Sequence, residues 1–239
     1  MAWVRPERGH DCSKVILYCH GGGYTSGNLG YARVLAAKMA GATGCEVLAF
    51  QYRLAPEFPY PAALEDALEA WEYLMHQGWG AKDVILAGDS AGGNLALELT
   101  LALKEEGRFQ PGRLVLFSPW TDMSASGDSY TQREELDPML TNRYIQSVRS
   151  AYAPNADYCH SKLSPLFADL SGLPPTLIQV GEREILYSDS ERLRNALTTA
   201  GVPCVLQSWP DMWHVFQMFP LKSAGEAMTA MADFLRQLA

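Results

Sequence analysis

"VILAGDSAGGNLALEL", residues 84–99, runs four apolar residues into Gly88, turns through Asp89, Ser90 and Ala91, and resumes with residues that favour a helix. Glycines two places before and two places after Ser90 remove the side chains that would hold strand and helix apart. The serine between them is then expected on a strained corner. Such a corner lifts the Ser90 hydroxyl above the carboxyl end of the sheet, at a helix N-terminus, as a candidate nucleophile. The plainer reading is a serine N-cap after a glycine turn.

Working outward, short apolar runs alternate with segments of helical period. The runs are 14–20, 45–50, 83–88, 113–118, 176–181 and 203–208; the helical segments are 28–41, 61–77, 91–106, 187–200 and about 221–238. Almost continuous apolar strands separated by helices predict an α/β fold, a mostly parallel sheet covered on both faces. The whole chain, 1–239, reads as one domain. One connection breaks the rhythm: no strand is expected between Ser118 and Leu173, although such loops usually run about 2–6 residues. Its middle, "LTNRYIQSVRSAY", has helical character, so about 122–172 is expected to be an inserted cap.

The formal net charge of −8 argues against nucleic acid and anionic membrane as partners, since both attract basic surfaces. No stretch reaches the ~20 apolar residues needed to span a bilayer, and the N-terminus has no secretory h-region. The five cysteines, Cys12, Cys19, Cys45, Cys159 and Cys204, are odd in number and show no zinc-binding spacing. They read as reduced thiols of a cytoplasmic protein, with no metal and no cofactor expected.

A serine nucleophile needs a base, an orienting acid and donors for the oxyanion. Three glycines follow the first long strand in "HGGGY", 20–24, where bare backbone N–H groups can meet a developing negative charge. A phosphate loop would end in a lysine, and "GGGYTSGN" has none. Of the five histidines, His214 in "PDMWHVFQMF" follows the last strand and precedes the last helix, at the carboxyl end of the sheet, and is the best base. In "GEREILYSDS", Glu182, Glu184 and Asp189 all qualify as the acid by region. Glu184 is favoured, because Asp189 falls at a helix start, where capping explains an acidic residue.

"HGGGY", "YRLAPEFPYPAALEDA" (52–67), "GDSAGGNLA" (88–96), "SPLFADLSGLPP" (164–175) and "DMWHVF" (211–216) together resemble the hormone-sensitive-lipase family of α/β-hydrolase carboxylesterases, in block order. The resemblance implies an α/β-hydrolase fold and a serine esterase acting on short- to medium-chain acyl esters through an acyl-enzyme. It implies Ser90 as nucleophile, His214 as base, and the N–H groups of Gly22, Gly23 and Ala91 as oxyanion hole. Where the family places aspartate in D-x-L, this chain has Glu184-Ile185-Leu186. Arg53 and Glu57 are expected to form a buried ion pair.

Tyr24, Trp120, Trp213 and Phe216 are candidates for the substrate pocket. Family members carry several dozen residues before the HGGG strand, whereas only "MAWVRPERGHDCS" stands there here. A more open acyl pocket is expected from that, or an inactive fragment. A lactonase or amidase-type deacetylase would use the same machinery, and a ligand-binding member without hydrolysis is the alternative from another class. The last strand and helix, at one side of the sheet, offer a homodimer edge; the expected partner otherwise is a small-molecule ester.

Overall fold

The computed structural model describes residues 1–7 and 11–237. His10 and the Cys12 side chain lie outside what is described. In chain order the elements are β1 (Ala2–Val4), β2 (Asp11–Cys19), α1 (Leu29–Thr43), β3 (Cys45–Ala49), α2 (Ala62–His76), β4 (Val84–Asp89), α3 (Ala91–Glu105), β5 (Arg113–Phe117), α4 (Ser129–Gln132), α5 (Asn142–Tyr152), β6 (Thr176–Gly181), α6 (Tyr187–Thr199), β7 (Cys204–Trp209) and α7 (Lys222–Gln237). Every strand and helix expected from the alternation is present within a few residues.

Among the described residues the strands form one seven-stranded sheet in the order β1-β3-β2-β4-β5-β6-β7. It is parallel throughout except for β1, which pairs antiparallel with β3 through Trp3 and Leu48. Three residues are too few to show a period, so the alternation does not reveal β1. β7 stands at the opposite edge, as its place in the sequence implies.

The period of two along each strand divides the interior. Val15, Leu17 and Cys19 of β2 face one cluster with α2, α3, α5 and α6, while Ile16 and Tyr18 face another with α1 and α7. α3 is buried along nearly its whole length, which explains why its sequence is apolar on almost every face. No helix among the described residues is long and apolar enough to cross a membrane.

The connection from β5 to β6 contains α4, α5 and a short turn of helix at Pro165–Phe167. Its α5 is the helical segment expected within 140–152. The Arg53–Glu57 pair does not form. Arg53 instead bonds Asp66 at 2.9 Å and Glu65 at 2.8 Å, with its side chain 40% exposed. Both acids lie near the start of α2, whose first turns face the Arg53 loop, whereas Glu57 is exposed.

Candidate active site

Ser90 lies between β4 and α3 with φ 55° and ψ −122°, a left-handed conformation that side chains other than glycine rarely adopt. Backbone bonds hold it there: its N–H donates to Phe117 O at 2.9 Å, and its carbonyl accepts from Trp120 N at 3.1 Å. A Cβ on Gly88 would run into the Gly92 carbonyl, and one on Gly92 into the carbonyl of Cys19. The flanking glycines are thus required by contact. The Ser90 side chain makes no capping bond to α3, so the plain N-cap reading does not hold.

The residue before it ties this corner to the glycine loop. Asp89, fully buried, accepts from Gly21 N at 2.8 Å and Tyr18 Oη at 2.5 Å through Oδ1, and from Tyr31 Oη at 2.7 Å through Oδ2. Burial, then the Asp89 charge, push both phenols up, so both remain donors.

In that loop Gly22 has φ 118° and Gly23 φ 61°. The Gly22 carbonyl accepts from Thr25 N and Ser26 N at 3.2 and 3.0 Å. Among the described residues neither the Gly22 nor the Gly23 N–H has a protein acceptor. Ala91 N–H stands in the first turn of α3, where helical partners are lacking. His20, its pKa lowered by burial, stacks on Tyr52 at 4.3 Å and braces the loop from below. From above, α5 closes on it, since a Cβ on Gly23 would lie 3.0 Å from Tyr144 Oη and 3.1 Å from Val148.

His214, in the loop after β7, is 6% exposed, and its Nδ1 lies 2.6 Å from Glu184 Oε2. Glu184, fully buried, accepts two further bonds at Oε1: Gly181 N–H at 2.7 Å and the Ser118 hydroxyl at 2.8 Å. Ser118 in turn accepts from Val215 N at 3.1 Å. Ser118 and Val215 both have positive φ, 47° and 50°. Such strain costs on the order of 1–3 kcal/mol per residue and persists where surroundings over-determine it. Burial, the largest influence, disfavours the imidazolium of His214. The hydrogen bond and charge of Glu184, with smaller pulls from Asp137 and Asp89, outweigh it and hold the pKa above the ordinary imidazole value.

The other acids fall elsewhere. Asp189 Oδ2 takes the N–H groups of Thr121 and Asp122 at 2.8 and 2.9 Å, and Glu182 is exposed. Burial, then the neighbouring Asp122, push Asp189 up to about 8.

Three of the four pocket candidates have their surfaces taken up in packing. Tyr24, 1% exposed, stacks on Tyr152 at 3.7 Å and donates to Asn94 Oδ1 at 2.6 Å. Trp120 is 1% exposed, and Phe216 packs under α7 with Ala224 and Ala227. Trp213 alone is half-buried beside the His214 loop.

Two residues that sequence reasoning missed complete the arrangement. Ser118 bridges Glu184 and Val215, as above. Asp137, from the connection before α5, accepts Ile185 N at 2.9 Å and so secures the loop carrying Glu184. Neither stands in a motif; only the fold brings them there.

A family described as having the α/β-hydrolase fold matches residues 16–218. The chain is 39% identical over 236 residues to an acetyl-hydrolase of Streptomyces hygroscopicus, spanning 98% of this chain and 78% of that protein. It is 36% identical over 229 residues to an esterase of Acinetobacter venetianus, spanning 95% and 76%. Among solved structures, an esterase from the bacterial hormone-sensitive lipase family superposes with a TM-score of 0.95 at 39% identity, covering 99% of this chain and 80% of that one. A structure of EstE5 soaked with p-nitrophenyl butyrate does so with a TM-score of 0.94 at 38% identity and the same coverage.

Proposed function

Because the chain belongs to the hormone-sensitive-lipase family of α/β-hydrolase esterases, and is a carboxylic ester hydrolase, we propose that Ser90, His214 and Glu184 are its nucleophile, base and orienting acid. The observation that carries this reading is the 2.6 Å contact of Glu184 with His214 Nδ1, which directs the other ring nitrogen away from the acid as the base.

In this reading His214 Nε2 takes the Ser90 proton as the hydroxyl oxygen bonds to the ester carbonyl carbon. The carbonyl electrons move to oxygen, and the N–H groups of Gly22, Gly23 and Ala91 hold that charge. Collapse of the intermediate expels the alcohol, which leaves with the proton from His214. Water, deprotonated by the same nitrogen, then adds to the acyl carbon, and as the acyl–oxygen bond breaks His214 returns that proton to the Ser90 oxygen and the acid is released. Removing one oxyanion donor typically costs about 3–4 kcal/mol of transition-state stabilisation, which is why unsubstituted backbone serves the purpose.

Residues about 122–172 form the proposed cap, a role supported by the closeness of α5 to Gly23. The proposed substrates are short- to medium-chain acyl esters. Support comes from the acetyl-hydrolase name of one relative and the p-nitrophenyl butyrate soaked into a similar structure.

The test is hydrolysis of p-nitrophenyl acetate, butyrate and octanoate, with phenylmethylsulfonyl fluoride labelling followed by mass spectrometry. Turnover and a single adduct on Ser90, both lost in Ser90→Ala, are expected. An adduct on another residue, or turnover undiminished in Ser90→Ala, would overturn the assignment.

A further inference from the structure

Two turns of α3 beyond the serine corner, Glu98 is 4% exposed and neither of its oxygens has a hydrogen-bond partner among the described residues. It lines a cavity of about 200 Å³ between α2, α3 and the 161–168 segment. The walls include Tyr60, Leu64, Leu68 and Leu101, and Lys162, Glu105 and Glu106 stand exposed at the rim. None of the proposed catalytic residues contributes to it.

An orphan carboxyl inside protein is costly, so one that lines an open cavity beside leucine walls marks a place for a donor from outside. We propose that this cavity binds a small primary alkylammonium ion, its charge on the Glu98 carboxylate and its short apolar body against Leu64, Leu68 and Leu101.

Three features favour a cation over a neutral donor. An ammonium group carries three N–H donors, enough for both empty oxygens, and compensates the carboxylate charge that burial opposes. Glu105 and Glu106 at the rim, on a chain of net charge −8, place the entrance in negative potential. The Tyr60 ring on the wall offers a further surface to a cation.

Size limits the guest. An apolar cavity of about 150 Å³ holds benzene, so this one suits a body of roughly four to seven carbons. Burial raises the Glu98 pKa well above its ordinary value, which favours a proton on the free carboxyl, and binding of the ion displaces it. Besides Glu105, Glu106 and Lys162, which share the cavity, the ionisable groups of the described residues that face Glu98 are Tyr24, Tyr152 and Tyr60, and burial raises all three, so they stay neutral. Through Tyr60 edge-on to Tyr152 at 5.9 Å, and Tyr152 stacked on Tyr24, the cavity wall adjoins the residue after Gly23.

The experiment is calorimetric titration of the full chain with n-butylammonium and with n-butanol, at one pH in two buffers of different ionisation enthalpy. Expected are saturable binding of the ion, a net release of protons on binding, and affinity for butanol lower by about tenfold or more. Glu98→Gln, nearly isosteric, should weaken the ion about tenfold or more, and Leu68→Phe, which fills the cavity, should do the same. Ser90→Ala should leave binding intact, which separates this site from the proposed active site.

Equal affinity for ion and alcohol, or binding unchanged in both Glu98→Gln and Leu68→Phe, overturns the proposal. So does binding that appears only in Lys162→Ala, which would mean that the chain's own lysine occupies the cavity.

Discussion

The Ser118 hydroxyl donates to Glu184 Oε1 at 2.8 Å while its oxygen accepts from Val215 N at 3.1 Å. A residue at the end of β5 therefore fixes both the proposed acid and the backbone beside His214. Ser118→Ala removes one donor from a fully buried carboxylate and leaves a buried N–H without an acceptor. A loss of about 1–3 kcal/mol in stability is expected, with kcat down about tenfold and KM nearly constant. Denaturant unfolding and steady-state kinetics check the two halves separately, and a changed KM at constant kcat would speak against a positioning role.

Glu184→Gln replaces the acceptor at His214 Nδ1 with an amide whose N–H end can force the opposite tautomer. By analogy with the loss of the acid in other serine hydrolases, kcat should fall by about 10³–10⁴. Glu184→Asp keeps the charge but shortens its reach, and an intermediate kcat is expected. If the two variants were equally active, the 2.6 Å contact would not be what orients the base.

The same contact sets a pH dependence. His214 must be neutral to accept a proton, and Glu184 holds its pKa above the ordinary value of 6.5. kcat/KM should therefore rise with pH through a midpoint above that value, and Glu184→Gln should move the midpoint down, since burial then prevails. The stability linkage runs the other way. A raised folded pKa contributes stability that is present below the unfolded pKa and is lost as pH rises through the folded one. Activity is gained in the window where this increment of stability disappears, and a pH–rate profile beside unfolding at the same pH values measures both.

Asp189 gives the complementary test. Its folded pKa of about 8 exceeds the ordinary carboxyl value of 3.8, so the folded state holds a proton that the unfolded chain has released. The penalty grows from about pH 4 and is complete near pH 8. Asp189→Asn keeps an acceptor for the N–H groups of Thr121 and Asp122. Unfolding free energy of the variant should depend less on pH across that interval, and an unchanged slope would contradict it.

The two ends of the glycine pattern should fail differently. At Gly23 an added methyl meets side chains of Tyr144 and Val148 that can shift, so Gly23→Ala should fold, at some cost in backbone strain, and lose about 10²–10³ in kcat. At Gly92 it meets the Cys19 backbone, which cannot shift without moving β2, so Gly92→Ala should lose folded protein as well as activity. Circular dichroism beside kinetics distinguishes them.

What could be read before the fold was known follows from the range of each interaction. The strand–corner–helix pattern at 84–99 and the alternation around it are local, and the six longer strands and their helices emerge from them. Glu184 lies three residues past Gly181, so its place over the sheet was also within reach. Ser118 and Asp137 act across 66 and 48 residues, and no short pattern encodes such pairs. The expected Arg53–Glu57 pair fails for a related reason: the acids Arg53 meets become its neighbours only once α2 has turned back towards it. Glu98 reads as one polar residue on a helix, and its burial emerges only when α2 and the 161–168 segment cover that face.

The register between β4 and β5 joins Asp89 to Phe117, and the Ser90 backbone is held across this line by Phe117 and Trp120. The line also divides the chain. Of the proposed site, Gly22, Gly23, Ser90 and Ala91 come from residues before the exposed Gly107, and Glu184 and His214 from residues after it. Cut there, neither half would carry the proposed site whole, so ester turnover would register the joining of the two.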